Sequence, residues 1–235
     1  MKPEVVYESR DLIILNKPSG LLVHPTAKKE SDTLVDWLLE SYSQVKGVGE
    51  DNERPGIVHR LDKDTSGLMV VALNNDTFFE LKAAFQDRRT IKKYYALAWG
   101  LPVKDKGKID KDIAALNGKR RTVEEYSQRE AGKTREALTY WEIKEKYSEY
   151  SLLSVRPVTG RTHQIRVHLD SIGHPIVCDK LYGKKKKCPE ALGRLFLHAY
   201  FLSIPIGNGT VLEFEIPLSQ ELQNFLNTLD TNIEL

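Results

Sequence analysis

Cysteine is nearly absent from this chain of 235 residues, which holds only Cys178 and Cys188. A disulfide between them is possible on spacing but not implied, and a zinc site needs more ligands than two thiols supply. No apolar run approaches the ~20 residues of a membrane span. Residues 1–15 lack the basic region, apolar stretch and cleavage site of a signal peptide. Lone thiols without a leader point to the cytoplasm. A P-loop and a dinucleotide fingerprint are both missing. Charge of one sign is scarce as well: 35 Lys and Arg stand against 33 Asp and Glu, a net of +2. Gross electrostatics therefore does not announce nucleic acid. There is no internal repeat and no low-complexity tract.

What is present is an ordinary globular balance, with 40% hydrophobic and 29% charged residues. Periodicity predicts strands over 5–8, 12–16, 67–73, 91–99, 134–146, 150–155, 195–204 and 211–216. Helices are expected over 33–42, from a cap at Asn75 or Asp76 to Phe85, over 161–172, and over 219–229. The unbroken apolar run 67–73 fits a strand buried on both faces. Strands outnumber helices and several are hairpin-connected. The expected class is α+β with a mixed, largely antiparallel sheet flanked by helices, in one domain over 1–235. Three basic clusters, Lys92–Lys93, Lys119–Arg121 and Lys184–Lys187, suit solvated faces one by one. Together they suit a polyanion held at several points.

Three segments carry chemistry. Gly56–Gly67 is a dense polar loop leading into the apolar run. A carboxylate there, Asp62, between Arg60 and Lys63, suits an ionised nucleophile; a salt-bridged turn explains the same residues. In the segment 155–169, Ile165, Leu169 and Ile172 fall on one helical face and His163, Arg166 and Asp170 on the other. Gly160-Arg161-Thr162 at its start can present backbone N–H groups to a phosphate. The competing reading is a surface helix with solvated polar residues. His163 and His168 are five apart and share no face, so no metal pair is expected. On a strand, Tyr94 and Tyr95 face opposite ways; with Lys92 and Lys93 they suit base stacking beside phosphates, or simply a core.

The combination and order of these segments is specific. Residues 17–25 (Lys-Pro-Ser-Gly-Leu-Leu-Val-His-Pro), His59-Arg60-Leu61-Asp62 with Thr65-Ser66-Gly67, residues 92–100, residues 159–168 and Leu197-His198-Ala199 together resemble the RluA-type family of pseudouridine synthases. The resemblance runs from about residue 5 to 218. Members often carry an N-terminal S4-type RNA-binding domain. This chain opens on the catalytic domain, so no separate S4 domain is expected. The Lys184–Lys187 run and residues 102–133 lie outside the motifs and are candidates for substrate-specific contacts, or idle loops.

The resemblance implies isomerisation of uridine to pseudouridine in structured RNA, tRNA and/or 23S-type rRNA. The N1–C1′ bond breaks, the uracil turns, and C5 bonds to C1′. No redox change occurs, so neither a nucleotide cofactor nor a metal is expected, and no membrane; a monomer is expected. Asp62, Tyr94 and Arg166 are the implied catalytic set. Asp62 acts as nucleophile or as the base that removes the C2′ proton. Arg166 pairs with Asp62. Tyr94 stacks on the base and serves as the late base at C5. His59, Arg60, Thr65, Arg161, His163, Gln164 and Leu197 are the implied RNA-binding residues, with Arg60 filling the space of a flipped base. Two alternatives stand beside this: a non-catalytic RNA-binding protein that retains the fold, and a retaining glycosidase using Asp62 and Asp64.

Overall fold

The computed structural model describes residues 1–25, 31–116, 119–123, 134–183, 186–207 and 209–230. In chain order it contains β1 (Glu4–Glu8), β2 (Leu12–Lys17), α1 (Leu34–Ser41), β3 (Ser66–Ala72) and α2 (Asn75–Gln86). β4 (Ile91–Trp99), β5 (Lys106–Asp110), β6 (Ile113–Leu116), β7 (Lys119–Thr122), β8 (Leu138–Lys146) and β9 (Tyr150–Pro157) follow. The chain ends with α3 (Gln164–Ser171), β10 (Leu197–Ile206), β11 (Thr210–Glu215) and α4 (Gln220–Leu226). The described residues pack into two compact units, Met1–Ile91 with Ala199–Ile216, and Lys92–His198 with Pro217–Leu235. Each unit is built from separated stretches of chain, so no single linker marks a boundary in the sequence.

In the first unit β1 pairs with β2, β2 with β3, and β10 with β11, all antiparallel. All seven residues of β3 are buried, as its apolar run predicts. Gly67 is obligatory: its φ is +115°, and a Cβ there would lie 2.2 Å from the Ala199 carbonyl oxygen. Helix α1 starts in a capping box. The Asp36 N–H donates to Thr33 Oγ1, and the Thr33 N–H donates back to the Asp36 carboxylate. Leu34, Val35 and Leu38 turn inward. The cap of α2 is Asn74, one residue before the expected Asn75 or Asp76. Its Oδ1 accepts from Thr77 N–H and its amide donates to Asp11. That second bond to a distant residue is what decides the register.

In the second unit β4, β9, β8 and β5 pair in that order, all antiparallel, and β6–β7 forms a separate hairpin. Ala96, Leu97, Leu153, Val155, Ile176 and Phe196 form its core. Each large aliphatic buried there contributes roughly 1.5–3 kcal/mol. The interval 102–133 holds β5, β6 and β7; its residues 117–118 and 124–133 lie outside the described ones. No helix among the described residues is long and apolar enough to cross a membrane.

Candidate active site

The loop that carries Asp62 is fixed through its main chain. The Thr65 N–H closes a turn onto the Asp62 carbonyl at 3.1 Å. The Lys63 carbonyl accepts from Gly20 N–H at 2.9 Å and from Lys17 Nζ at 3.1 Å. The Asp64 carbonyl accepts from Ser19 Oγ at 2.8 Å. Lys17 is fully buried, and its ammonium also donates to the carbonyls of Pro18 and Leu21. Gly20 sits at φ +89°, which lets the turn 17–20 close against the loop. Lys17, Ser19 and Gly20 thus clamp residues 63 and 64, while Thr65, which closes the turn at Asp62, is buried.

Arg60 is exposed, and its Nη1 donates to His24 Nε2 at 2.6 Å. His24 Nδ1 donates to the Pro25 carbonyl at 2.8 Å, which fixes the tautomer. Burial, with the Arg60 charge adding to it, holds the His24 pKa below its ordinary value, so the ring stays a neutral acceptor. His59 is turned inward. Its Nε2 accepts from the Val70 N–H at 3.0 Å and its ring stacks on Phe85 at 4.5 Å. It therefore braces β3, a role its neighbours in sequence do not reveal.

In the second unit Tyr94 is buried on β4 opposite Val155, and Leu197 is buried at the start of β10. Lys92 is not the solvated cation its cluster suggested: burial pushes its ammonium down to about 8. Its Nζ lies beside Gly160, within 3.9 Å of where a Cβ would stand.

The segment 159–168 departs from its sequence reading in two respects. Helix α3 starts at Gln164, after His163 in a left-handed conformation, not at Arg161. All six residues from Gln164 to Leu169 are buried, so the expected separation into packed and solvated faces is absent. The Arg161 N–H, expected to greet a phosphate, donates to Gln164 Oε1 at 3.0 Å. Gln164 Oε1 also accepts from Thr159 Oγ1, and its Nε2 donates to the Leu138 carbonyl and Thr139 Oγ1. Thr139 Oγ1 in turn contacts His168 Nδ1, whose Nε2 donates to the Lys111 carbonyl. Gln164, expected among the RNA contacts, is held in a protein network. Arg161 Nε donates to the Glu136 carbonyl.

Arg166 is the most tightly held group. Its Nε and Nη2 donate to the two Asp179 carboxylate oxygens at 2.7 and 2.9 Å, a buried bidentate pair. The Tyr182 ring lies under its guanidinium at 5.2 Å, and the Tyr182 hydroxyl meets His163 Nδ1 at 2.9 Å. Neither Asp179 nor Tyr182 stood out in the sequence. The signal was their place in a segment, 178–188, bounded by the only two cysteines. Those cysteines are bonded to each other, so the expectation of lone thiols fails, and with it the redox argument for the cytoplasm. Within this segment Lys186 sits over Trp99 and Lys187 pairs with Glu190; Lys184 and Lys185 lie outside the described residues.

The fold has counterparts among solved structures. Human RNA Pseudouridylate Synthase Domain Containing 1 superposes with a TM-score of 0.72 at 28% identity, over 92% of this chain and 83% of that one. Domain Containing 4 gives 0.73 at 25% identity, over 96% and 93%. The RNA pseudouridylate synthase family model matches residues 11–171. An uncharacterized RNA pseudouridine synthase of Aquifex aeolicus (strain VF5) is 45% identical over 92% of this chain and 72% of its own. Ribosomal large subunit pseudouridine synthase D of Haemophilus ducreyi is 37% identical over 98% and 71%. The chain belongs to the RNA pseudouridylate synthase family, in its RluA-type branch. It is an isomerase that acts on RNA, forming pseudouridine.

Proposed function

We propose that Asp62 is the catalytic carboxylate, acting with Tyr94 and Arg166 on a uridine flipped out of structured RNA. The observation that supports this best is the clamp of Lys17, Ser19 and Gly20 on the carbonyls of Lys63 and Asp64, directly after Asp62. A binding loop could afford slack; a reacting carboxylate needs its position fixed before the substrate arrives. Asp62 attacks the sugar or removes its C2′ proton, releasing uracil from C1′. Rotation brings C5 to C1′; the new bond forms as the Asp62–C1′ ester breaks, or as Asp62 returns the proton to C2′, and the C5 proton leaves to solvent through Tyr94 while N1 takes up a proton. Arg166 supplies the cation of this set, its guanidinium fixed in one plane by Asp179. Leu197 supplies an apolar wall. Arg60, exposed and steadied by neutral His24, occupies the space of the flipped base. His59, Thr65, Arg161, His163 and Gln164 shape the RNA-facing surface mainly by holding its backbone.

Several relatives carry large-subunit ribosomal names, which favours 23S-type rRNA over tRNA as substrate. The enzyme works as a monomer. The test is tritium release from C5-labelled uridine in unmodified large-subunit rRNA and, in parallel, in tRNA transcripts. Wild-type release with none from Asp62→Ala is expected; full release from Asp62→Ala would overturn the assignment. Release from tRNA alone would overturn the choice of RNA.

A further inference from the structure

Arg166 is bound by a carboxylate, Asp179, that the proposed chemistry does not itself use. Asp179 sits wholly inside the second unit, takes the Nε–Nη2 edge of the guanidinium with both oxygens, and is itself held by the N–H groups of Leu181 at 2.9 Å and Tyr182 at 3.1 Å. The turn around it is specific. Cys178 before it adopts φ +61°, and the Gly183 N–H closes onto the Asp179 carbonyl at 2.9 Å. A Cβ on Gly183 would stand 3.0 Å from that carbonyl. The disulfide from Cys178 to Cys188 closes the segment.

A buried ion pair is a weak way to stabilise a fold, because desolvation of both charges offsets most of their attraction. It is a strong way to fix a plane: two parallel N–H···O bonds leave the guanidinium one orientation. Tyr182 limits the remaining face. Burial alone would raise the Asp179 carboxyl, but Arg166 and the two N–H donors outweigh it and hold it low, so the pair stays charged. We propose that Asp179 is a positioning residue for pseudouridine formation, which fixes the orientation of the Arg166 guanidinium without touching RNA. This rests on the catalytic reading of Arg166 above.

The experiment is single-turnover tritium release from C5-labelled large-subunit rRNA transcript with excess enzyme, giving a maximal rate and a half-saturating concentration. Asp179→Asn should lower the rate about 10–100-fold, with half-saturation changed less than about twofold. Asp179→Glu, which keeps the charge and the fold but displaces the oxygens, should fall between it and the wild type. Arg166→Lys should lower the rate as well. In the Arg166→Lys background Asp179→Asn should then add little, because the edge it orients is gone. Multiplying effects in the double variant, or a normal rate from folded Asp179→Asn or from Asp179→Glu, would overturn the positioning role. A purely structural Asp179 would lower melting temperature in both backgrounds and leave the folded fraction at full rate. A normal rate from Arg166→Lys would instead overturn the catalytic reading of Arg166 and this inference with it.

Discussion

Asp62 and Arg166 are secured by opposite means. Around Asp62 the bonds run to main-chain carbonyls, at residues 62, 63 and 64, from Thr65, Gly20, Lys17 and Ser19. Around Arg166 they run to the side chain itself, from a carboxylate and an aromatic ring. The difference follows from length. A carboxylate on one methylene is positioned once its backbone is positioned. A guanidinium on three methylenes carries roughly 2 kcal/mol of rotamer freedom, and fixing the helix beneath it leaves that freedom intact. Short reactive groups call for clamped loops, and long ones call for a second anchor at the tip.

The largest effect that sharpens this contrast is chemical. Asp62→Ala should reduce tritium release by on the order of 10⁴-fold while filter-binding affinity for RNA stays near wild type. Next is the backbone clamp. Lys17→Met leaves the buried Leu21 carbonyl without its donor and removes the part-buried bonds to Pro18 and Lys63, so urea unfolding should show about 1–3 kcal/mol lost. An unchanged midpoint would mean the clamp is dispensable.

Acid tests both regions. His198, buried and bonded to the Pro217 carbonyl, has its pKa pushed by burial from 6.5 down to about 4. The native state therefore binds fewer protons than the unfolded chain between those values. Stability is complete above pH 6.5 and falls as pH drops toward 4, by about 3 kcal/mol. His24 shifts in the same direction, and its protonation sets a second cation against Arg60. Unfolding midpoints at pH 7 and 4.5 check the sign; greater stability at 4.5 would contradict it.

Cys188→Ser should cost about 2–3 kcal/mol, the value for a loop of ten residues, visible as a lower melting temperature. The smallest effect is at the exposed tip. Arg60→Ala should slow release from duplex-embedded uridines roughly tenfold more than from short single strands, since only the former must unstack. Equal slowing would remove Arg60 from base flipping.

Much of the fold was legible in sequence. The run 67–73 announced β3, and the helical spacing over 33–42 announced α1, because apolar periodicity acts within a few residues. Helix α3 was misjudged at its start and on its outer face. Its period was right, but Thr139 and Asp179, far along the chain, supply partners that bury Gln164, Arg166 and His168. His59 likewise looked like an RNA contact until Val70 and Phe85 claimed it.

The sequence by itself determined the family, the reaction and the candidate carboxylate. Those depend on which residue types recur in which order, and order survives in one dimension. Tertiary structure decided which polar residues face inward, that Lys92 and Lys17 are not surface cations, that the two thiols meet, and that Asp179 holds Arg166. Hydrogen bonds and desolvation act over ångströms in space, between residues such as Arg166 and Asp179, 13 positions apart, or Lys17 and Lys63, 46 apart, and no local pattern records them.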